Sequence, residues 1–96
     1  MKIVVKGYFT LRKAMDNKAM IEIEMKNASL RDVLENLSNR FGEGFSDLLF
    51  DPKTNKVKNH ISILVNGRHY FFLPKRLATE LKEGDEIALF PQIAGG

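Results

Sequence analysis

Hydrophobic and polar residues alternate along several stretches of the chain, which is the pattern of strands that bury one face. In the first stretch, residues 2–10, this alternation predicts that Ile3, Val5 and Phe9 face a core. The same period predicts further strands over residues 19–25, 60–65, 68–71 and 86–90.

The spacing changes to that of a helix between residues 29 and 42. Ser29 with Asp32 three residues later predicts a capping box, and Gly42 predicts a left-handed cap at the other end. One apolar stripe lies between the two caps, which predicts a helix packed on a sheet. The stripe consists of Leu30, Val33, Leu34, Leu37 and Phe41.

The order of these elements predicts an α+β fold of the ubiquitin-like β-grasp type. A hairpin comes first, the main helix crosses the sheet, and Asn66-Gly67 forms a second, tight hairpin because both residues accept positive φ. We expect a mixed sheet whose first and last long strands are parallel central neighbours. Residues 1–90 form this single domain, and residues 91–96 are expected to form an extended, flexible tail.

Composition excludes several kinds of site. The 96 residues include no cysteine, so disulfides, thiolate metal sites and a cysteine nucleophile are absent. His60 and His69 have no partner at metal-ligand or triad spacing, which predicts no metal site. The net charge is +3 with the lysines scattered, so we expect no nucleic-acid partner. No run of about 18 apolar residues occurs, so we expect no membrane partner and a cytoplasmic location.

The C-terminal segment carries the main functional hypothesis. Its last residues are Ala94, Gly95 and Gly96, and the α-carboxylate of Gly96 is the one reactive group at its tip. Glycine without a Cβ fits a narrow slot, and six extended residues span about 20 Å. A carboxylate becomes an electrophile once ATP converts it to an acyl-adenylate. That reaction requires a partner enzyme, because the chain offers no active site of its own.

The chain resembles the MoaD/ThiS sulfur carriers, and most of all the small subunit of molybdopterin synthase. The resemblance rests on residues 66–68 (Asn-Gly-Arg), 81–91 (Leu-Lys-Glu-Gly-Asp-Glu through Phe-Pro) and 93–96 (Ile-Ala-Gly-Gly), with Leu11-Arg12 after the first strand. It covers nearly the whole chain. The additional residues 51–58 are similar to those of the longer, archaeal-type members.

This resemblance implies a mechanism. A MoeB-like, ubiquitin-activating-like adenylyltransferase would use ATP to adenylate Gly96, and a sulfur donor would convert the adenylate to a thiocarboxylate. Gly95 and Ala94 would then enter the MoaE-like large subunit, which transfers the sulfur to precursor Z to form the dithiolene of molybdopterin. The chain itself would bind no cofactor and would be a non-catalytic, sulfur-carrying subunit.

An apolar surface near the tail is the predicted docking site. Phe90 is expected to point outward, although core packing remains an alternative, and Arg12 is a candidate partner for a carboxylate. The candidate partner-binding residues are Val4, Tyr8, Arg12, Phe90, Pro91 and Ile93.

Two other functions remain open. The first is a ubiquitin-like modifier joined to lysines through Gly96, or a sulfur carrier for tRNA thiolation, with the same activation. The second is a binding module with an inert tail.

Overall fold

A computed structural model describes residues 1–92 of the chain. Five strands and three helices follow one another, and the five strands and the main helix come in the predicted order. They are β1 (Lys2–Gly7), α1 (Thr10–Ala14), β2 (Met20–Glu24), α2 (Leu30–Phe41), α3 (Glu43–Leu49), β3 (Ile61–Val65), β4 (Arg68–His69) and β5 (Glu86–Pro91). Two 3₁₀ helices, Tyr70–Phe72 and Arg76–Ala78, lie between β4 and β5.

The strands form one mixed sheet in the order β2-β1-β5-β3-β4. β1 and β5 are parallel neighbours at its centre, and all other pairs are antiparallel. β5 is therefore bonded on both sides, to β1 and to β3. This is the predicted β-grasp arrangement.

The core lies between one face of the sheet and the helices. The apolar stripe of α2 is buried from Leu30 to Leu37, and it shares one cluster with the inward residues of β1, β3 and β5. The capping box is present: Asp32 N–H donates to Ser29 Oγ at 3.2 Å, and Ser29 N–H donates to the Asp32 carboxylate at 2.9 Å. Gly42 ends α2 at φ 87°, as predicted, but its ψ of −169° is not that of a left-handed helix, because α3 starts at the next residue.

The prediction for the end of the first strand is wrong. β1 ends at Gly7, three residues early, and the side chain of Phe9 is 62% exposed instead of buried. The backbone of Phe9 has φ 54° and ψ −122°, and this turn starts α1. The period-two pattern contained no signal for the turn, because Phe9 is apolar and falls in phase with Ile3 and Val5.

The second hairpin is partly as predicted. Asn66 and Gly67 both have positive φ, 52° and 84°, which fits the predicted turn. The strand that follows stops after His69, because residues 70–72 form a 3₁₀ helix rather than continuing to residue 71 as a strand. The final strand in turn extends one residue beyond the predicted boundary, through Pro91.

Candidate functional site

The root of the C-terminal segment is fixed to the centre of the sheet. Leu89 pairs with Gly7 of β1, and Phe90 pairs with Ser62 of β3. The N–H of Gln92 then donates to the carbonyl oxygen of His60 at 2.6 Å. The backbone is thus tied to the sheet through residue 92, and the chain leaves the domain from a bonded position.

The reach of the segment is shorter than the sequence predicts. Residues 91 and 92 are held by the sheet, so four residues remain, and four residues span at most about 14 Å. The predicted tail residues Ile93, Ala94, Gly95 and Gly96 lie outside the described residues. A partner must therefore bring its reaction centre within about 14 Å of Gln92.

Two aromatic rings stand beside this root on the open face of the sheet, which the helices do not cover. Tyr8 and Phe90 meet edge to face, with ring centroids 6.0 Å apart and planes at 89°. Phe90 is half-buried and Tyr8 is 42% exposed. Phe90 points away from the core, as predicted, since its neighbours Leu89 and Ile87 are the buried residues of β5.

Val4 lies on the same face but apart from the aromatic pair. Along β1, Lys6 comes between Val4 and Tyr8, and the two apolar residues are about 13 Å apart along the strand. Lys6 Nζ bonds to the Glu86 carboxylate at 2.9 Å, and this hydrogen bond raises the pKa of Lys6 above 10.5. The open face is therefore aromatic at the tail end and charged beside Val4.

Pro91 lies on the other side of the sheet from Phe90. It pairs with Ile61, whose side chain is buried in the core, and Pro91 itself is half-buried. Pro91 thus anchors the strand end, whereas Phe90 is presented for contact.

Arg12 is exposed on α1, next to the same root. Its helix lies close to the end of β1 because Gly7 leaves room: a Cβ on Gly7 would be 2.6 Å from Met15 Sδ and 3.3 Å from Arg12 Cα. The N–H of Tyr8 donates to the Leu89 carbonyl at 3.0 Å, which joins this turn to β5. Within residues 1–92 no carboxylate pairs with Arg12.

Phe9 is a candidate site residue that the sequence analysis placed in the core. It is a bulky residue at positive φ, a conformation that costs about 1–3 kcal/mol and is uncommon for a residue without a short polar side chain. Its ring is exposed beside Tyr8. Tyr8 and Phe90 form the aromatic rim, and Phe9 is the exposed residue that follows Tyr8 in the chain.

At the opposite end of the central strands the motif residues 81–86 have a structural role. The Asp85 carboxylate accepts from Lys82 N–H at 2.7 Å and from Asn66 Nδ2 at 2.9 Å. Asn66 Oδ1 in turn accepts from Glu86 N–H at 2.9 Å. This network joins the second hairpin to the start of β5, so the motif sets the position of the strand that leads to the tail.

Within the part of the chain that the structure describes, no three His, Asp or Glu side chains come together as metal ligands. His69 is used locally, since its Nδ1 accepts from Phe71 N–H at 3.1 Å and its ring stacks on Tyr70. None of the helices in that part is long and apolar enough to cross a membrane.

Comparison with known proteins decides the family. The model of the ThiS family matches residues 8–96, which includes both the aromatic rim and the glycine terminus. The chain belongs to the ThiS family. This ThiS-family chain is 30% identical over 96 residues to small archaeal modifier protein 3 of Haloferax volcanii, and the match covers all of both chains.

Solved structures give the same fold. Small archaeal modifier protein 1 of Methanosarcina acetivorans superimposes on the ThiS-family chain with a TM-score of 0.82 at 26% identity, covering 99% of this chain and 96% of that one. A Pyrococcus furiosus chain, provisionally named molybdopterin converting factor subunit 1, has a TM-score of 0.73 at 28% identity, with coverage of 97% and 99%. The family and the ubiquitin-like β-grasp fold predicted from the sequence are thus confirmed, and the chain is a ubiquitin-like sulfur carrier or modifier.

Proposed function

We propose that the protein is the small, sulfur-carrying subunit of a molybdopterin synthase, and that the C-terminal carboxylate of Gly96 carries the sulfur. The observation that carries the proposal is the exit of the chain. The central strand β5 is bonded on both sides and ends next to the aromatic rim, and it leads within four residues to Gly95-Gly96. A rigid body with a short glycine terminus suits delivery of a carboxylate into another protein's active site.

The chemistry proceeds in two steps on the Gly96 carboxylate. In the first step a carboxylate oxygen attacks the α-phosphate of ATP in a MoeB-like adenylyltransferase, which gives the acyl-adenylate and releases pyrophosphate. In the second step the terminal sulfur of a donor persulfide attacks the acyl carbon and AMP leaves, which gives an acyl disulfide. A thiol then cleaves its S–S bond, which releases the thiocarboxylate and leaves the thiol joined to the donor as a disulfide. The partner enzyme supplies the groups that stabilise the charge in each step.

The aromatic rim gives the partner a surface to bind while the terminus is inserted. Exposed aromatic residues with a hydrogen-bonded backbone behind them are typical centres of protein interfaces. We assign Tyr8, Phe9 and Phe90 to contact with the adenylyltransferase and with a MoaE-like large subunit, and Arg12 to a carboxylate of the partner. Val4 lies farther away and is expected to contribute less.

A second function is favoured by one observation. The full-length match to a small archaeal modifier protein at 30% identity supports conjugation of Gly96 to lysine side chains. The Pyrococcus furiosus structure supports the molybdopterin function instead. Transfer of the sulfur to tRNA is a third route that uses the same activation.

Removing Gly96 tests the step that all these functions share. We expect a variant that ends at Gly95 to lose ATP–pyrophosphate exchange by the adenylyltransferase while it keeps the wild-type melting temperature. Exchange at the wild-type rate would contradict the proposal. To separate the functions, the protein with a Gly96 thiocarboxylate is combined with the large subunit and precursor Z. Dithiolene formation with release of the Gly96 carboxylate supports the synthase. Gly96-linked conjugates in cells, without dithiolene formation in the reconstituted reaction, support the modifier.

A further inference from the structure

A broad groove lies beside the root of the tail, along the β3–β4 edge of the sheet. It encloses about 1330 Å³, and its walls are the loop before β3, the first turn of α2 and the two 3₁₀ segments. Gln92 and His60, which hold the root by their hydrogen bond, also line it. A protein that receives residues 93–96 therefore lies next to this groove.

The groove is strongly basic, although its charges are far apart in sequence. Five cationic side chains line it and one carboxylate does, that of Asp51. Arg31 is already paired with Glu35 at 3.3 Å. Within residues 1–92 no ion pair involves the other four cations, so the groove presents a positive potential to an incoming partner. These four are Lys56, Lys58, Lys75 and Arg76.

The aromatic residues in the groove favour a protein ligand over a single-stranded nucleic acid. Nucleic-acid grooves combine positive charge with free aromatic faces on which bases stack. The exposed ring here is Phe71, and Arg76 Cζ lies 4.7 Å from its centroid. The rings of Tyr70 and His69 meet Phe71 at steep angles, 70° and 82°, with centroids 4.9 and 5.3 Å away. Arg76 thus covers one face of Phe71, and a single partly exposed ring does not form the row of free aromatic faces on which successive bases stack.

We propose that this groove binds an acidic segment of the adenylyltransferase that receives the tail. The inference rests on the proposed function, since adenylation is the step that both the carrier and the modifier need. Complementary charge beside the tail attracts the enzyme and sets the orientation of the domain before the terminus enters. The aromatic rim on the open face and the basic groove at the sheet edge would then hold the root from two sides.

Two triple variants of equal charge change test the proposal. The groove variant is Lys56→Glu/Lys58→Glu/Lys75→Glu. The control, Lys26→Glu/Arg68→Glu/Lys82→Glu, alters exposed residues at the opposite end of the sheet. We expect the KM of the adenylyltransferase for the groove variant to be about ten-fold higher than for the wild-type protein. The kcat should change less than about two-fold. Its KM should also depend less on salt, whereas the control should match the wild-type protein.

Equal KM values for the two variants would overturn the proposal. A second measurement uses fluorescence anisotropy with a labelled octaglutamate peptide and with a single-stranded RNA of equal charge. Tighter binding of the RNA than of the peptide would overturn the proposal. A gain in peptide affinity on removal of residues 93–96 would also overturn it, because such a gain would mean that the groove holds the protein's own terminus. If the wild-type protein binds the peptide and the groove variant does not, the proposal is supported. If the wild-type protein is never adenylated, the proposed function is refuted. The peptide measurement still shows whether the groove binds an acidic segment.

Discussion

The two ends of the central strands differ in how their polar and aromatic groups are used. At the start of β5 the polar side chains are hydrogen-bonded within the chain. The Asp85 carboxylate accepts from Lys82 N–H and Asn66 Nδ2, and the Glu83 carboxylate accepts from Lys2 N–H at 3.0 Å. At the end of β5, Tyr8 and Phe9 are exposed beside Phe90, and Phe9 has a costly backbone conformation.

This difference separates stability from function. Hydrogen bonds that are made within the chain stabilise the fold and leave little for a partner to bind. The exposed rings bury little area within the chain and the strained backbone costs stability, so we expect their place beside Gln92 and the end of β5 to serve binding. We therefore expect changes at the first end to alter the free energy of unfolding, and changes at the second end to alter binding.

Phe90→Glu should have the largest effect. A charge placed within the aromatic rim removes the contact with Tyr8 and disfavours burial by the adenylyltransferase, so we expect Kd to rise about thirty-fold or more. Asn39→Glu is the control, since it adds the same charge at an exposed position of α2, away from both the rim and the groove. Titration calorimetry measures both variants, and equal affinities would show that the rim is not the docking surface.

Asp85→Ala should act on stability instead. Two hydrogen bonds to the carboxylate are lost, and we expect the free energy of unfolding to fall by about 2 kcal/mol. Asp47→Ala, on the exposed side of α3, should change it by less than about 0.5 kcal/mol. Urea unfolding measures the difference. A folded Asp85→Ala protein should be adenylated with the wild-type KM, and a raised KM would break the separation of the two ends.

Phe9→Gly should change the free energy of unfolding less than Asp85→Ala does, and in the opposite direction. Glycine adopts positive φ without strain, and after its entropic cost we expect a gain of about 1 kcal/mol in the free energy of unfolding. Phe72→Gly is the control, because Phe72 is equally exposed but is not among the residues with positive φ, and it should lose up to about 1 kcal/mol. Binding of the adenylyltransferase should weaken in the Phe9 variant. A loss of stability there would mean that Phe9 is not strained.

Patterns that arise from local spacing were predictable. The apolar stripe of α2, its capping box, and the turn at Asn66 and Gly67 all follow from neighbouring residues, and the structure has them. The order of the elements was also enough for the β-grasp fold, and the alternation along β5 was enough for the outward position of Phe90. These features depend on the spacing of apolar residues and on turn-forming residues, both of which are visible in the sequence.

Features that depend on contacts between distant parts of the chain were not predictable. Phe9 is in phase with the strand, and only the packing of α1 against Gly7 turns it outward. The hydrogen bond from Gln92 to His60 extends the bonded backbone to residue 92, and it joins residues that are far apart in sequence. The basic groove likewise collects lysines that appear scattered along the chain.

The central claim is that sulfur is carried on the C-terminal carboxylate, and one measurement tests it most directly. The protein is incubated with the adenylyltransferase, ATP and a sulfur source, and its intact mass and C-terminal peptide are determined by mass spectrometry. The account predicts the mass gained when one oxygen is replaced by sulfur, located on Gly96. An unchanged mass while the enzyme activates another carrier under the same conditions, or sulfur located on any other residue, would contradict it.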